Sequence, residues 1–165
     1  MNNPMNNYSD STEATIISKN TIIDGNIRSF ADMRIDGNVK GNVETTKNVN
    51  INGKVVGNIA CDNAVMTSSS IQGNLLLKGQ ATMSNDAMLI GDLTSQVASL
   101  NGKIKGNLNI TGKAQLDKEA VVFGDIKAGG ISISDGAIIQ GYISTTFLSG
   151  EERSNIFPES IAIGE

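Results

Sequence analysis

The sequence predicts an all-β solenoid, and three observations indicate this fold class. A triplet of glycine, then Asn or Asp, then an aliphatic residue recurs with successive glycines 15 to 18 residues apart. Aliphatic residues stand two positions before and two positions after every one of these glycines, and only small residues stand four positions before them. This spacing is too short for a helical repeat. The glycines of the triplet are Gly25, Gly41, Gly57, Gly73, Gly91, Gly106 and Gly124, and a degenerate eighth copy with Tyr142 in the second position begins at Gly141.

The aliphatic columns predict strands with one dry face. Their offsets from the glycine are all even, and successive side chains on a strand point to opposite faces. The odd positions between them are mostly polar, with Val56, Ile90 and Phe123 as exceptions. A second alternating run, such as Met33 and Ile35, occurs in several copies, so we expect more than one inward-facing strand in each turn.

The lengths of the steps predict where the coil is irregular. A step of 16 or 18 residues returns every side chain to the same face, which keeps the stacked columns in register. A step of 15 or 17 residues needs a bulge or a corner that absorbs one residue. We therefore expect irregularity between Gly91 and Gly106, and again between Gly124 and Gly141.

The glycine triplet has a structural interpretation that needs no ligand. Glycine tolerates positive φ and close backbone approach, which suits a sharp corner. Asn accepts left-handed conformations and is able to hydrogen-bond along a stack. We predict an asparagine ladder along one edge, interrupted by Asp92 and Asp125; its members are Asn26, Asn42, Asn58 and Asn74.

The charge distribution argues against nucleic acid as a partner. Residues 1–18 carry two acids, residues 148–165 carry four acids and one base, and the remaining 12 bases and 11 acids lie between them. A nearly neutral rod without a basic stripe is a poor match for phosphate. We expect such a rod to associate with further copies of itself.

The domain boundaries follow from where the columns stop. We assign residues 1–18 to a flexible N-terminal tail, residues 19–147 to the solenoid and residues 148–165 to a flexible C-terminal tail. The alternative for the last segment is that its apolar residues fold over the last coil as a cap. Neither a secretory signal nor an apolar run of transmembrane length is visible, which predicts a cytoplasmic protein.

The sequence shows little that indicates catalysis. Histidine is absent, which removes the commonest general base and metal ligand. The single Cys61 allows neither an internal disulfide nor a cysteine-based metal site, and we interpret it as a packing residue. The pair Asp117 and Glu119 is interpreted as a solvated edge on a presumed strand. We therefore predict no enzyme, no catalytic residue, no metal site and no cofactor.

The two ends of the solenoid are the candidate functional surfaces. An open coil presents unpaired backbone groups and a cross-section of aliphatic side chains, which natural solenoids usually cover with polar caps. Here both ends are apolar in sequence. We predict end-to-end polymerisation through terminal-coil contacts, and the candidate residues are Ile22, Ile23, Ile143, Phe147 and Leu148.

The repeat also resembles a known family. The segments TIIDGNI at residues 21–27 and MRIDGNVKGNV at residues 33–43 look like the opening of the bactofilin domain, and the resemblance continues through INGKVVGNI at 51–59 and VFGDI at 122–126. It covers residues 20–147. It implies a single-stranded, right-handed, three-sided parallel β-helix that polymerises without nucleotide into cytoskeletal filaments. It also implies a scaffold that localises partners such as cell-wall enzymes or membrane proteins and influences cell shape.

Many bactofilins carry a short N-terminal membrane-targeting peptide with apolar and basic residues. In this chain the apolar contacts available for weak membrane association are Met1, Met5 and Tyr8, and residues 1–7 hold no cation. Attachment at the inner face of the cytoplasmic membrane therefore stays open at this point.

Two further questions also stay open from the sequence. Filament contacts are either isologous, joining like ends, or heterologous, joining unlike ends. The alternative function is a non-catalytic, trimeric relative of the left-handed β-helix hexapeptide transferases, which share aliphatic residues at fixed spacing but use a strict repeat of 18 residues.

Overall fold

The computed structural model describes residues 13–145, which form 22 parallel β-strands, numbered β1 to β22 in chain order, and no helix. Each turn of the chain contributes three strand segments, two of which merge into one long strand in two of the turns. The segments pair with their equivalents in the neighbouring turns. The predicted all-β parallel solenoid is confirmed. The three strands in each turn build three faces.

The first face is the eight-stranded sheet that precedes the repeated glycines. It consists of β2 (Ile22–Asp24), β5 (Asn38–Lys40), β8 (Lys54–Val56), β11 (Ser70–Gln72), β14 (Met88–Ile90), β17 (Lys103–Lys105), β19 (Val121–Phe123) and β21 (Ile138–Gln140).

The second and third faces form one fourteen-stranded sheet, because two long strands run through both of them. The second face holds β3 (Ile27–Ser29), β6 (Val43–Thr45), β9 (Ile59–Cys61), β12 (Leu75–Leu77), β15 (Leu93–Ser95) and β22 (Ile143–Ser144). The third face holds β1 (Ala14–Ile17), β4 (Asp32–Ile35), β7 (Asn48–Ile51), β10 (Asn63–Met66), β13 (Gln80–Met83) and β16 (Val97–Leu100). The long strands are β18 (Leu108–Leu116) and β20 (Ile126–Ile133).

The core is a stack of aliphatic side chains that runs the length of the solenoid. The columns two residues before and after the glycine point inward, as predicted, and Val55 and Ile59 are at most 1% exposed. The second alternating run is also inward, because Met33 and Ile35 of the third face are at most 2% exposed. Burial of these side chains from three directions is the main stabilising contribution that the repeat makes.

The Gly-Asn corner requires glycine for two independent reasons. Gly57 has φ of +151°, a conformation that L side chains rarely adopt. A Cβ added there would also meet the backbone carbonyl of Gly41 in the preceding coil. The same arrangement recurs at every later glycine of the repeat. Successive coils therefore approach too closely at this corner for any side chain.

The other two corners absorb the variation in coil length. In the 15-residue step, the corner between the second and third faces shrinks to Gln96 and the next corner is only Asn101 and Gly102. In the 17-residue step, β20 pairs with β18 through a register shift between Ile110 and Lys113. Both intervals that the sequence marked as irregular are irregular in the structure.

The small-residue column marks the corner between the third and first faces. Two-residue corners end in glycine, as at Gly53, while four-residue corners end in Ala or Thr and close a turn, as when Ala87 N–H donates to the Ser84 carbonyl at 3.1 Å. The two-residue corners leave no room for a Cβ: at Gly53 it would meet the Gly37 carbonyl. The size of this residue thus depends on the length of the corner that it ends.

The solenoid begins before the boundary that the sequence indicated. Strand β1 pairs with β4, and Ile17 at the end of β1 is only 5% exposed. The whole of β1 lies within residues 1–18, which the sequence assigned to the N-terminal tail. This strand belongs to a coil that precedes the first glycine triplet, so the triplet did not mark it. The predictions for residues 1–12 and 146–165 lie outside the described residues.

Candidate functional site

The C-terminal end of the solenoid exposes side chains that occupy core positions. Ile133 pairs in register with Leu116, and Ile143 pairs with Ile126. The interior partners are at most 1% exposed, whereas Ile133 is 45% exposed and Ile143 is 43% exposed. These isoleucines point inward but lack a next coil to cover them within residues 13–145. They form an apolar end surface.

The N-terminal end shows the same difference on a smaller scale. Ile23 and Ile27 are partly buried and pack on the core, whereas their in-register partners Val39 and Val43 are 1% exposed. Each end of the described solenoid therefore presents aliphatic side chains that another coil would bury.

Both ends also present backbone groups suited to strand addition. Within the molecule, Ile126 N–H donates to the Tyr142 carbonyl of the last coil at 2.8 Å. The equivalent N–H of Ile143 faces away from the molecule, with no further coil among residues 13–145. At the other end the Asn26 carbonyl faces outward. The equivalent carbonyl one coil later, that of Asn42, accepts a hydrogen bond from the Ile27 N–H at 2.9 Å. An added strand pairs with such groups.

A ladder of side-chain to backbone hydrogen bonds connects the Gly-Asn corners. The Asn58 side-chain oxygen accepts from the backbone N–H of Asn74 at 3.0 Å, and the pattern continues with Asp92 accepting from Asn107 at 2.9 Å. The prediction that Asp92 and Asp125 interrupt the ladder was wrong. The side chain acts only as an acceptor towards a backbone donor, and a carboxylate oxygen accepts as well as an amide oxygen. The ladder ends at Tyr142, whose N–H donates the last bond to the Asp125 carboxylate at 3.1 Å.

We expect the Asn58→Ala substitution to lower the free energy of unfolding by about 1 kcal/mol, because Asn74 N–H loses its acceptor. The Asn58→Asp protein keeps an acceptor oxygen and should unfold close to the wild-type denaturant midpoint. Chemical denaturation of the three proteins checks this. Equal losses in the two variants would contradict an acceptor-only role.

The predicted contact residues fall into three groups. Ile23 and Ile143 lie on inward columns at opposite ends of the solenoid, so they belong to two separate surfaces. Ile22 is 72% exposed but points outward from the first face, because it stands at an odd offset. The remaining candidates lie outside the described residues: Phe147, Leu148, Met1, Met5 and Tyr8.

Some end residues were not among the predicted contacts, for example Ile27, Ile133 and Ile139. The sequence contains the signal that identifies them, because they are the first or last members of the aliphatic columns. A residue at the terminus of a column lacks a neighbouring coil on one side, which distinguishes an end residue from a core residue. Ile139, for example, pairs with the fully buried Val122 but is itself only partly buried.

The carboxylate pair noted in the sequence lies in a solvated corner. Asp117 and Glu119 lie in the four-residue corner after β18, not on a strand as presumed. Asp117 accepts from the Gln115 amide at 3.1 Å, and Glu119 N–H donates to the Asn101 side chain at 2.9 Å. At another corner, hydrogen bonds from Asn52 and Arg34 lower the pKa of Asp36. Residues 13–145 hold no cluster of three or more potential metal ligands, and no helix in that part is able to span a membrane.

Cys61 is an inward residue of the second face and is 5% exposed. Burial raises the pKa of its thiol to about 12, and the neighbouring Asp62 carboxylate adds to the shift. Because the thiolate is the reactive form, we expect a disulfide reagent to leave the folded protein unlabelled at pH 8 and to label the denatured chain fully. Labelling of both at one rate would contradict this burial.

The raised pKa of Cys61 also predicts that the free energy of unfolding falls as pH rises from about 9 towards about 12, because the thiol ionises first in the unfolded chain.

Comparisons with known proteins agree with this geometry. A family model described as Bactofilin, polymer-forming cytoskeletal, matches residues 15–96 and 54–144. These two overlapping matches together span most of the described solenoid. The chain has no significant match among curated proteins or among solved structures.

Proposed function

This chain belongs to the bactofilin family of polymer-forming cytoskeletal proteins, and we propose that its solenoid assembles end to end into filaments without nucleotide. The observation that carries the proposal is the exposure of core-column isoleucines in the last coil. Ile133 and Ile143 are more than 40% exposed, while their partners one turn earlier are buried. A further coil from another molecule would bury them in the same way.

The proposed contacts lie on the two end surfaces. At the C-terminal end they are Ile133, Ile139 and Ile143, and at the N-terminal end they are Ile23 and Ile27. Phe147 and Leu148 follow β22 within five residues and are proposed to extend the C-terminal surface. Ile22 contributes at the outer edge of the N-terminal end, since it points away from the core.

Unpaired backbone groups at both ends would make the contact between molecules directional, in addition to its apolar part. Each end of a parallel coil carries both N–H and carbonyl groups that have no coil beyond them in residues 13–145. Strand addition satisfies such groups and fixes the register between the molecules. The apolar columns supply the free energy of association, because their burial removes aliphatic surface from water. Both parts of the interface repeat the contacts between coils inside the molecule.

The filament is proposed to act as a cytoplasmic scaffold that localises partners, such as cell-wall enzymes or membrane proteins, and thereby influences cell shape. Weak attachment to the membrane is proposed through Met1, Met5 and Tyr8. Co-sedimentation with liposomes, with and without residues 1–12, tests this attachment and leaves β1 intact. Equal pelleting of both proteins would contradict it.

Sedimentation velocity over a range of protein concentrations tests the assembly mode without nucleotide. End-to-end growth has no fixed stoichiometry, so the sedimentation coefficient should rise continuously with concentration. A single species with the mass of three chains at all concentrations would instead support a trimeric relative of the hexapeptide transferases.

A further inference from the structure

The first face carries an exposed apolar cluster on its outer side, which extends from β14 to β21 in the last coil. Met88 and Ile90 of β14 are each 42% exposed, Phe123 of β19 is 46% exposed and Ile138 of β21 is 52% exposed. We call these residues, together with Val121, the lateral patch. Outward positions of a solenoid strand are normally polar, and contiguous exposed apolar side chains mark a binding surface.

The strand register makes the lateral patch continuous. Met88, Lys103, Val121 and Ile138 are aligned across four neighbouring strands. Ile90, Lys105 and Phe123 form a second row beside them. The lysine stems lie between the apolar side chains of β14 and β19, and these side chains and stems line one groove. Ile138 continues the patch beside Val121.

The outer side of the first face is basic, although the protein is acidic. It carries Lys40, Lys54, Lys103 and Lys105 against the single Asp24, so its balance is four minus one, or plus three. The whole chain has a net charge of −4. A second copy of the same face would bring like charges together, which opposes face-to-face pairing. The occupant that fits is apolar and acidic.

The chain itself contains such a segment, beyond the last described strand. Residues 146–165 hold four acids and one base, for a balance of minus three, together with a group of large apolar residues. The acids are Glu151, Glu152, Glu159 and Glu165, and the apolar group is Ile156, Phe157, Ile161 and Ile163. We propose that this segment docks on the lateral patch, with its apolar residues in the groove and its carboxylates beside Lys103 and Lys105.

The length of chain permits this docking within one molecule. The described chain leaves the solenoid at Thr145, directly after β22 in the last coil. Ile156 stands eleven positions after Thr145, and an extended chain of that length spans up to about 36 Å. The patch extends from β21 to β14, three strand spacings or about 14 Å along the axis. The segment therefore reaches every part of the groove.

Hydrogen–deuterium exchange on the full-length protein tests the docking. The amides of residues 155–163 should exchange about tenfold more slowly than in a free peptide of residues 146–165. The Phe123→Ser substitution should return them to the rate of the free peptide, and Lys105→Glu should raise their rate in the same direction. Leu76→Ser is the matched control, because Leu76 is 59% exposed on the outer side of the second face. It should leave the exchange slow.

Three results would overturn the proposal. The first is exchange of residues 155–163 at the free-peptide rate in the wild-type protein, and the second is protection that survives Phe123→Ser. The third is an effect of Phe123→Ser only on binding to vesicles of phosphatidylglycerol and phosphatidylcholine, or only on side-by-side association of filaments. That result would assign the lateral patch to a lipid surface or to a second copy. These readouts do not depend on end-to-end assembly, so failure of the filament proposal remains distinguishable.

Discussion

Replacement of Ile133 by aspartate is expected to abolish filaments while leaving the solenoid folded. Ile133 is the last member of its inward column and is already 45% exposed, so a carboxylate there stays hydrated in the single molecule. A molecule stacked on this end would bury that carboxylate without a partner, which costs about 3 kcal/mol or more. The concentration needed for assembly should then rise about a hundredfold or more. Sedimentation and electron microscopy measure assembly, and circular dichroism checks the fold.

The matched control for this substitution is Ser132→Asp. Ser132 is the preceding residue on β20 and is exposed on the outer side. An aspartate at this position therefore adds the same charge at the same height along the solenoid axis. It should assemble at a concentration close to that of the wild-type protein. Filaments from a folded Ile133→Asp protein, or equal loss of filaments in both variants, would contradict a contact made by the inward column.

The Gly57→Ala substitution is expected to lower the free energy of unfolding by about 4 kcal/mol or more. Alanine at φ of +151° is strained by itself. Its Cβ would also meet the Gly41 carbonyl, so two coils must separate and their hydrogen bonds and aliphatic contacts weaken together. The denaturant midpoint of purified protein measures the loss.

Gly25→Ala separates these two effects. Gly25 has the same φ of +151°, but nothing lies within 4 Å of a Cβ added there, because it stands in the first coil of the repeat. This substitution should cost only the conformational strain, about 1 to 3 kcal/mol. If the two variants lose equal stability, the close approach of coils contributes nothing and the glycines are required for φ alone.

The regular part of the fold was predictable because one short physical pattern determines it. Even offsets from each glycine give the inward face, and the uninterrupted columns give the stacked core, as Val55 and Ile59 show. The corner lengths carried a further signal that the column alignment did not use. A glycine in the small-residue column, as at Gly53 or Gly102, accompanies a two-residue corner, whereas Ala87 accompanies a four-residue corner.

The features that were missed depend on three-dimensional neighbours rather than on the repeat. Asp92 looked like an interruption because the sequence shows residue types but not that the donor is a backbone N–H. Strand β1 was missed because its coil has no glycine triplet, although Ile17 fills a core position. Ile90 and Phe123 appeared as isolated exceptions, and only the register between β14, β17 and β19 places them in one patch.

The exposed residues at the ends of the solenoid were only partly predictable for a related reason. The sequence correctly places Ile23 and Ile143 on inward columns, because the alternation is strict. It does not show which column members stay exposed, since this depends on where the last coil stops. The 45% exposure of Ile133 follows from its position after the final stacked partner.

Electron microscopy of the purified protein, negatively stained and free of nucleotide, tests end-to-end assembly most directly. The exposed inward columns at both ends predict unbranched filaments that lengthen with protein concentration and that are absent in the Ile133→Asp protein. Uniform particles of fixed size at every concentration would contradict assembly through the ends of the solenoid.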